Sequence, residues 1–168
     1  MSIPHIASIL KRRLTGKVVV AGVGNRECKD DGAGVSLVSK LISSRYLKPI
    51  SVGASPEFHL SEIIAEHPDV VMFVDTVELC SPPGSVAVLE KGQLPTGWGN
   101  THQPPLSIIM KYVSEQTGAD TFLLGIQPED VSAGKHMSSS GAGTVKVISD
   151  FLNGMVTRNE KTLRGEKI

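Results

Sequence analysis

The sequence predicts a three-layer α/β protein, with helices on both faces of a mostly parallel sheet. Apolar runs of strand length alternate along the chain with segments whose apolar residues recur at helical spacing. Residues 69–75 are apolar between their two end residues, which is typical of a parallel strand buried on both faces. The 168 residues contain no internal repeat or low-complexity linker, so we expect one domain over residues 1–168.

The N-terminal segment, residues 1–15, predicts a short amphipathic helix that packs on the domain. Its apolar side chains share one helical face: Ile3, Ile6, Leu10 and Leu14. A signal peptide carries its basic residues before the apolar stretch, whereas here Lys11, Arg12 and Arg13 come after it. We therefore expect a structural helix and a cytoplasmic protein rather than a targeting segment.

Five strands and four further helices are expected behind this helix. The strands are predicted over residues 17–22, 49–55, 69–75, 86–90 and 120–128, the fourth as an edge or antiparallel strand. The helices are predicted over residues 35–46, 60–66, 106–113 and 145–155. The polar tail, residues 158–168, is expected to fray.

Charge and cysteine content exclude several classes of protein. Seventeen Lys and Arg balance seventeen Asp and Glu, so neither a nucleic-acid partner nor a membrane surface is predicted. No apolar run is long enough to cross a bilayer. Two cysteines, Cys28 and Cys80, fit a reducing compartment or one bridge, and we expect each to be a small buried thiol. Balanced charge and few aromatic residues leave a monomer as the expected state.

A glycine-rich turn over residues 22–34 joins the first strand to the next helix. Such turns often bind phosphate, but here Glu27 stands where a dinucleotide-binding motif has its third glycine. Asp30 and Asp31 lie at the helix entrance and would repel an anion there. The turn therefore does not predict a nucleotide site.

Three polar residues follow the carboxyl ends of predicted strands or lie in a long loop: Asp31, Asp75 and His102. Two carboxylates and an imidazole suit a divalent transition metal. Each residue also has a simpler interpretation. Asp31 or Asp30 would cap the helix, Asp75 would begin a turn, and His102 would be a solvated loop residue.

Four segments, in order along the chain, resemble the [NiFe]-hydrogenase maturation endopeptidases. They are VVVAGVGNRECKDDGAG, VVMFVDTVELCSPPGSV, THQPPLSIIMKYV and FLLGIQPEDV. The last resembles the branch that serves hydrogenase-3-type enzymes. The resemblance covers most of the chain from Lys17 to about Phe151.

The resemblance implies a twisted, mostly parallel five-stranded sheet flanked by helices. It also implies removal of a C-terminal extension from the precursor of the hydrogenase large subunit, after nickel has entered that precursor. The Ni²⁺ would be carried by the substrate protein. The family's metal-binding and catalytic residues fall on Asp31, Asp75 and His102 of this sequence.

The sequence departs from the family pattern after the second strand. Ser51 or Val52 stands where many members carry an aspartate considered functionally important. This departure motivates an alternative, a non-catalytic factor that binds the nickel site or assists assembly. An ordinary metallo-aminopeptidase with a permanently bound metal such as zinc is a further alternative.

Overall fold

The predicted three-layer α/β fold is confirmed by the computed structural model, which describes residues 3–94 and 104–163. Five strands form one sheet in the order β2-β1-β3-β5-β4. The strands are β1 (Val18–Val23), β2 (Leu47–Gly53), β3 (Val70–Thr76), β4 (Val86–Leu89) and β5 (Asp120–Ile126). All neighbouring pairs are parallel except β4 with β5, so the fourth strand is both an edge and an antiparallel strand, as predicted.

Helices cover both faces of this sheet. They are α1 (Ile3–Arg13), α2 (Ala33–Val38), α3 (Leu60–Ala65), α4 (Leu106–Thr117) and α5 (Ser139–Leu163). Helices α1, α2 and α5 share one buried core with the sheet, and α3 and α4 share the other. Short 3₁₀ helices cover Lys29–Gly32, Pro56–His59 and Lys91–Gln93. No helix in the described part of the chain combines the length and apolar character needed to cross a membrane.

The strand order places β1, β3 and β5 inside the sheet, where both faces must be apolar. Side chains alternate between the two cores along β1: Val18 and Val20 lie in one, Val19 and Ala21 in the other. All six residues of β1 are buried. This is why these strands appear in the sequence as unbroken apolar runs.

Helix α2 is much shorter than the predicted helix over residues 35–46, because it ends at Val38. Asn153 of α5 explains the difference. Its side-chain amide donates to the carbonyl of Lys40 at 3.0 Å, and its side-chain oxygen accepts from the N–H of Ile42 at 2.9 Å. These bonds give the backbone partners outside a helix, although Leu41 stays in the core as the helical pattern required.

The N-terminal helix, α1, packs on the rest of the domain. Ile6, Leu10 and Leu14 are buried in the core shared with α2 and α5. At the other end of the chain, α5 remains helical to Leu163, within the tail that was expected to fray from Arg158. Extending an established helix requires little ordering beyond the residue added, which favours this continuation.

The prediction that both cysteines are buried was wrong. Cys28 is half-buried and Cys80 is exposed, and both are free thiols. Both lie in loops at the carboxyl edge of the sheet rather than in strands or helices, and Cys80 has a positive φ of 50°. A small apolar side chain in the sequence does not reveal whether its loop faces the core.

Candidate active site

A cavity of about 260 Å³ lies at the carboxyl edge of the parallel strands. The ends of β1 and β3, the loop after β2 and the start of α4 contribute its walls. Open α/β sheets bind ligands at this edge, because the loops after parallel strands converge there. Among the described residues, the polar side chains that line it are Asp31, Glu57, Asp75 and Ser107.

The glycine turn places Asp31 in this cavity. Gly24 has a φ of +123°, and a Cβ at Gly24 would lie 1.8 Å from the carbonyl oxygen of Asp31. Only glycine therefore allows the two backbone segments to approach this closely. One Asp31 carboxylate oxygen accepts from the N–H of Asn25 at 2.8 Å, and the other lies 3.4 Å from the Thr76 hydroxyl.

Asp75 lies within β3, next to its last residue, so it does not begin a turn. Its carboxyl group lines the cavity and accepts from the N–H of Thr76 at 2.8 Å. Burial raises the pKa of Asp75 to about 7; the Thr76 N–H opposes that rise, and the charge of Asp31 adds to it. With a pKa near 7, Asp75 is partly protonated and partly ionised at physiological pH.

His102, the third predicted site residue, lies outside the described residues. Pro104 and Pro105, which follow it closely, line the same cavity as Asp31 and Asp75. Within residues 3–94 and 104–163, no group of three or more His, Cys, Asp or Glu residues is placed to hold a metal ion. The structure therefore brings together two of the three predicted residues.

Asp30 does not cap α2, contrary to the expectation from sequence. Its side chain is 1% exposed, and its carboxylate accepts from the N–H groups of Glu129, Asp130 and Ser138 and from the Ser138 hydroxyl. Burial alone would raise the pKa of Asp30, but these hydrogen bonds outweigh it and leave the pKa below its ordinary value. Asp30 thus fixes the loop after β5 against the glycine turn.

Glu57 is a cavity residue that the sequence analysis did not select. It lies in the 3₁₀ helix Pro56–His59, directly after β2. Asp31 and Asp75 were selected because they follow strands that end at one edge of the sheet, and Glu57 meets the same criterion. The signal was therefore present in the sequence.

The departure from the family pattern after the second strand lies away from this cavity. Ser51 is an exposed residue of β2, and Val52 is buried in the core shared with α3 and α4. Neither belongs to the described lining of the cavity. Asp31 and Asp75 therefore line the cavity in this protein without an aspartate at either of these positions.

Two carboxyl groups that line one cleft, one of them with a pKa near 7, are suited to hydrolytic acid–base chemistry or to binding a cation. The chain belongs to the hydrogenase maturation proteases, since the HycI family of that description matches residues 35–150. It is therefore a peptidase of hydrogenase maturation, and the match confirms the predicted branch. Family membership favours this activity over the aminopeptidase alternative.

Individual relatives agree with this assignment. A protein of Methanocaldococcus jannaschii named as a hydrogenase maturation protease is 29% identical over 123 residues, covering 67% of this chain and 73% of its own. The crystal structure of a [NiFe] hydrogenase maturation protease, HycI, from Thermococcus kodakarensis KOD1 is 27% identical with a TM-score of 0.75. It covers 86% of this chain and 98% of its own. The coenzyme F420 hydrogenase subunit delta of Methanothermobacter thermautotrophicus is 27% identical over 127 residues, 70% of this chain and 78% of its own.

Proposed function

We propose that this maturation endopeptidase acts on the nickel-loaded precursor of a [NiFe]-hydrogenase large subunit and removes its C-terminal extension. Nickel arrives with the precursor and is part of the substrate. Asp31, Asp75 and His102 contact it and thereby place the scissile peptide bond in the cavity. Cleavage then depends on nickel insertion, because an unloaded precursor lacks the ion that these residues recognise.

The observation that carries the proposal is the convergence of Asp31 and Asp75 on one cavity. Their proximity is unfavourable without a cation, since the charge of Asp31 raises the pKa of Asp75. A divalent ion between the precursor and this edge of the sheet would reverse that effect and stabilise both carboxylates. Oxygen donors of this type bind divalent transition metals together with imidazole, the group that His102 would add.

Hydrolysis adds the water oxygen to the carbonyl carbon, breaks the C–N bond and gives the leaving amine a proton. The nickel ion would polarise the scissile carbonyl or activate the attacking water. A carboxyl group that accepts the proton from water is the alternative to activation by the metal. Asp75 is the candidate for that role, because its carboxyl group lines the cavity together with Asp31.

We place this activity in the cytoplasm and in a monomer without nucleic-acid or membrane partners. The two free thiols, Cys28 and Cys80, support a reducing compartment. The equal numbers of acidic and basic residues support the absence of polyanionic partners.

The proposal is tested by incubating the protein with purified large-subunit precursor, with and without nickel, and measuring intact masses. We expect loss of the C-terminal extension only in the nickel-loaded sample. The His102→Ala variant should not cleave the precursor although it folds normally by circular dichroism. Cleavage of nickel-free precursor, or wild-type rates in the His102→Ala variant, would contradict the proposal.

A non-catalytic role in binding or assembly is the second candidate. It is favoured by the relative from Methanothermobacter thermautotrophicus, whose name describes a hydrogenase subunit rather than a protease. This alternative predicts a stable complex with nickel-loaded precursor and no change in its mass. The same incubation, followed by size-exclusion chromatography, separates the two candidates.

A further inference from the structure

We infer that Glu57 binds the precursor by accepting a hydrogen bond from a main-chain N–H of the segment in the cavity. This inference rests on the proposed function, because it takes the cavity to be the place where the precursor chain enters. It assigns Glu57 to substrate binding rather than to the chemical step. Four observations lead to it.

Glu57 lines the cavity, and one of its carboxyl oxygens has no hydrogen-bond donor. The residue lines the same cavity as Asp31 and Asp75. Its Oε2 atom is buried and unpaired, and no other buried side-chain nitrogen or oxygen in the described part of the chain lacks a partner. The unpaired atom thus belongs to a residue that lines the proposed reaction site.

The neighbouring carboxylates each accept a hydrogen bond from a main-chain N–H, which Oε2 of Glu57 does not. Asp31 accepts from the N–H of Asn25, Asp75 accepts from the N–H of Thr76, and Asp30 accepts from three backbone N–H groups. Each of these three acids thus has a main-chain donor within the protein. A buried oxygen without a donor loses its hydration and gains no bond in return, so it destabilises the free protein. Such an atom is expected at a site whose partner arrives with a ligand.

A peptide main chain supplies the donor that this site lacks. Every residue of a bound peptide other than proline brings one N–H group, which must find an acceptor when the segment leaves water. The walls nearest to Glu57 in sequence, Ala54 and Pro56, offer no side-chain hydrogen bond that would compete. The carboxyl group of Glu57 is therefore available to accept a hydrogen bond from such an N–H.

A shared cation is the other partner that a carboxyl oxygen would accept. Glu57, Asp31 and Asp75 do not form a group of three acids that could hold one metal ion, within the residues that the structure describes. Glu57 is thus not placed as a third carboxylate that would complete a cation site with Asp31 and Asp75. A neutral donor on the peptide, rather than the metal, is the partner that this placement favours.

Two substitutions at Glu57 and one control test the inference. Glu57→Met keeps the length of the side chain and removes the acceptor, whereas Glu57→Gln keeps an acceptor oxygen without the charge. Glu62→Gln is the control, because Glu62 lies on α3 outside the described lining of the cavity, with its carboxylate 3.2 Å from His59. The measurements are KM and kcat for processing of nickel-loaded precursor, calorimetric affinity for the precursor, and Tm without substrate.

For Glu57→Met we expect KM to rise about tenfold or more with kcat little changed, since lost binding is shared by ground and transition states. Its Tm should rise by roughly 2–4 °C, because the unpaired buried oxygen is gone. Glu57→Gln should keep KM within about threefold of wild type, and Glu62→Gln should match wild type in every measurement. A purely structural glutamate predicts the opposite sign for Tm in Glu57→Met.

Several outcomes would overturn the inference. A wild-type KM in Glu57→Met would show that the precursor makes no bond to Glu57. A Glu57→Gln variant as defective as Glu57→Met would show that the site needs a charge, and hence a cation. If the wild-type protein binds the precursor without processing it, the proposed function fails, and the calorimetric affinities still decide the role of Glu57.

Discussion

Asp30 and Asp31 are consecutive in the sequence, yet their carboxylates belong to different parts of the molecule. Asp30 is buried and binds backbone N–H groups of the loop after β5, including that of Ser138 at 2.7 Å. Asp31 lines the cavity and accepts from the N–H of Asn25 at 2.8 Å. The 3₁₀ turn Lys29–Gly32 directs the two side chains apart, so one stabilises the fold and the other is available to substrate.

This division predicts different effects of the same substitution at the two positions. Asp30→Asn should lower the free energy of unfolding by about 2–4 kcal/mol, because an amide meets N–H donors with its own N–H group in a buried place. Asp31→Asn should change it by less than about 1 kcal/mol, yet abolish processing of nickel-loaded precursor. Urea unfolding and intact-mass analysis measure the two effects.

Each of these variants serves as the control for the other. A loss of processing in Asp30→Asn below its unfolding temperature, equal to that in Asp31→Asn, would show that the glycine turn acts as one unit. Equal losses of stability in both variants would contradict the separation of roles.

Asp75 predicts an unusual dependence of stability on pH. An unfolded Asp has a pKa of about 3.9, whereas Asp75 in the folded protein has a pKa of about 7. Between these values the folded state binds more protons than the unfolded state, so this residue lowers the free energy of unfolding as pH rises from about 4 to about 7. The wild-type protein therefore carries this penalty at pH 8 and not at pH 4.

Asp75→Asn removes the titration and should be more stable than wild type at pH 8, by an amount of order 3 kcal/mol. The difference should shrink as pH falls toward 4, and processing should be lost at every pH. Urea unfolding at half-unit pH steps measures the effect. A variant that is less stable than wild type across the whole range would show that Asp75 is ionised and stabilising in the folded protein.

The sequence predicts which polar residues lie at the edge where the parallel strands end. Asp31 and Asp75 follow from the rule that parallel strands end at one edge, and the rule reaches Glu57 as well. The sequence did not predict that Asp30 is buried, because the donors that bind its carboxylate come from a loop about a hundred residues later. The early end of α2 has the same origin, because Asn153 supplies the bonds that replace its last turns. Local pattern predicts elements and edges, whereas contacts between distant segments decide which polar residue is buried.

The position of Ser51 predicts that the departure from the family pattern does not impair activity. Ser51 is exposed on the edge strand β2 and pairs with Gly22 of β1. Ser51→Asp should leave KM and kcat for nickel-loaded precursor within about twofold of wild type, because the new carboxylate stays hydrated at the surface. A gain of tenfold or more in processing would show that an aspartate here contacts the precursor and that the natural sequence has a weakened activity.

The contacts of Arg13 predict that α1 is an integral part of the fold. Its guanidinium forms two bonds with Asp120, at 2.6 and 2.8 Å, binds Glu90, and lies 4.0 Å from the centre of the Phe122 ring. The bonds to Asp120 raise the pKa of Arg13 further, against the opposing effect of its burial. This residue thus joins the end of α1 to strands β4 and β5.

Arg13→Met should lower the free energy of unfolding by about 1–2 kcal/mol, because the bonds to two carboxylates and the contact with the Phe122 ring are lost together. Arg13→Lys should recover only part of the lost stability, since an ammonium does not match the two oxygens of Asp120.

Arg12→Met is the matched control. Arg12 is the preceding residue of α1 and is exposed, so its replacement should change the free energy of unfolding by less than about 0.5 kcal/mol. Urea unfolding measures all three, and limited proteolysis reports whether α1 detaches. Equal stability of the Arg13→Met and Arg12→Met variants would show that α1 is held by Ile6, Leu10 and Leu14 alone.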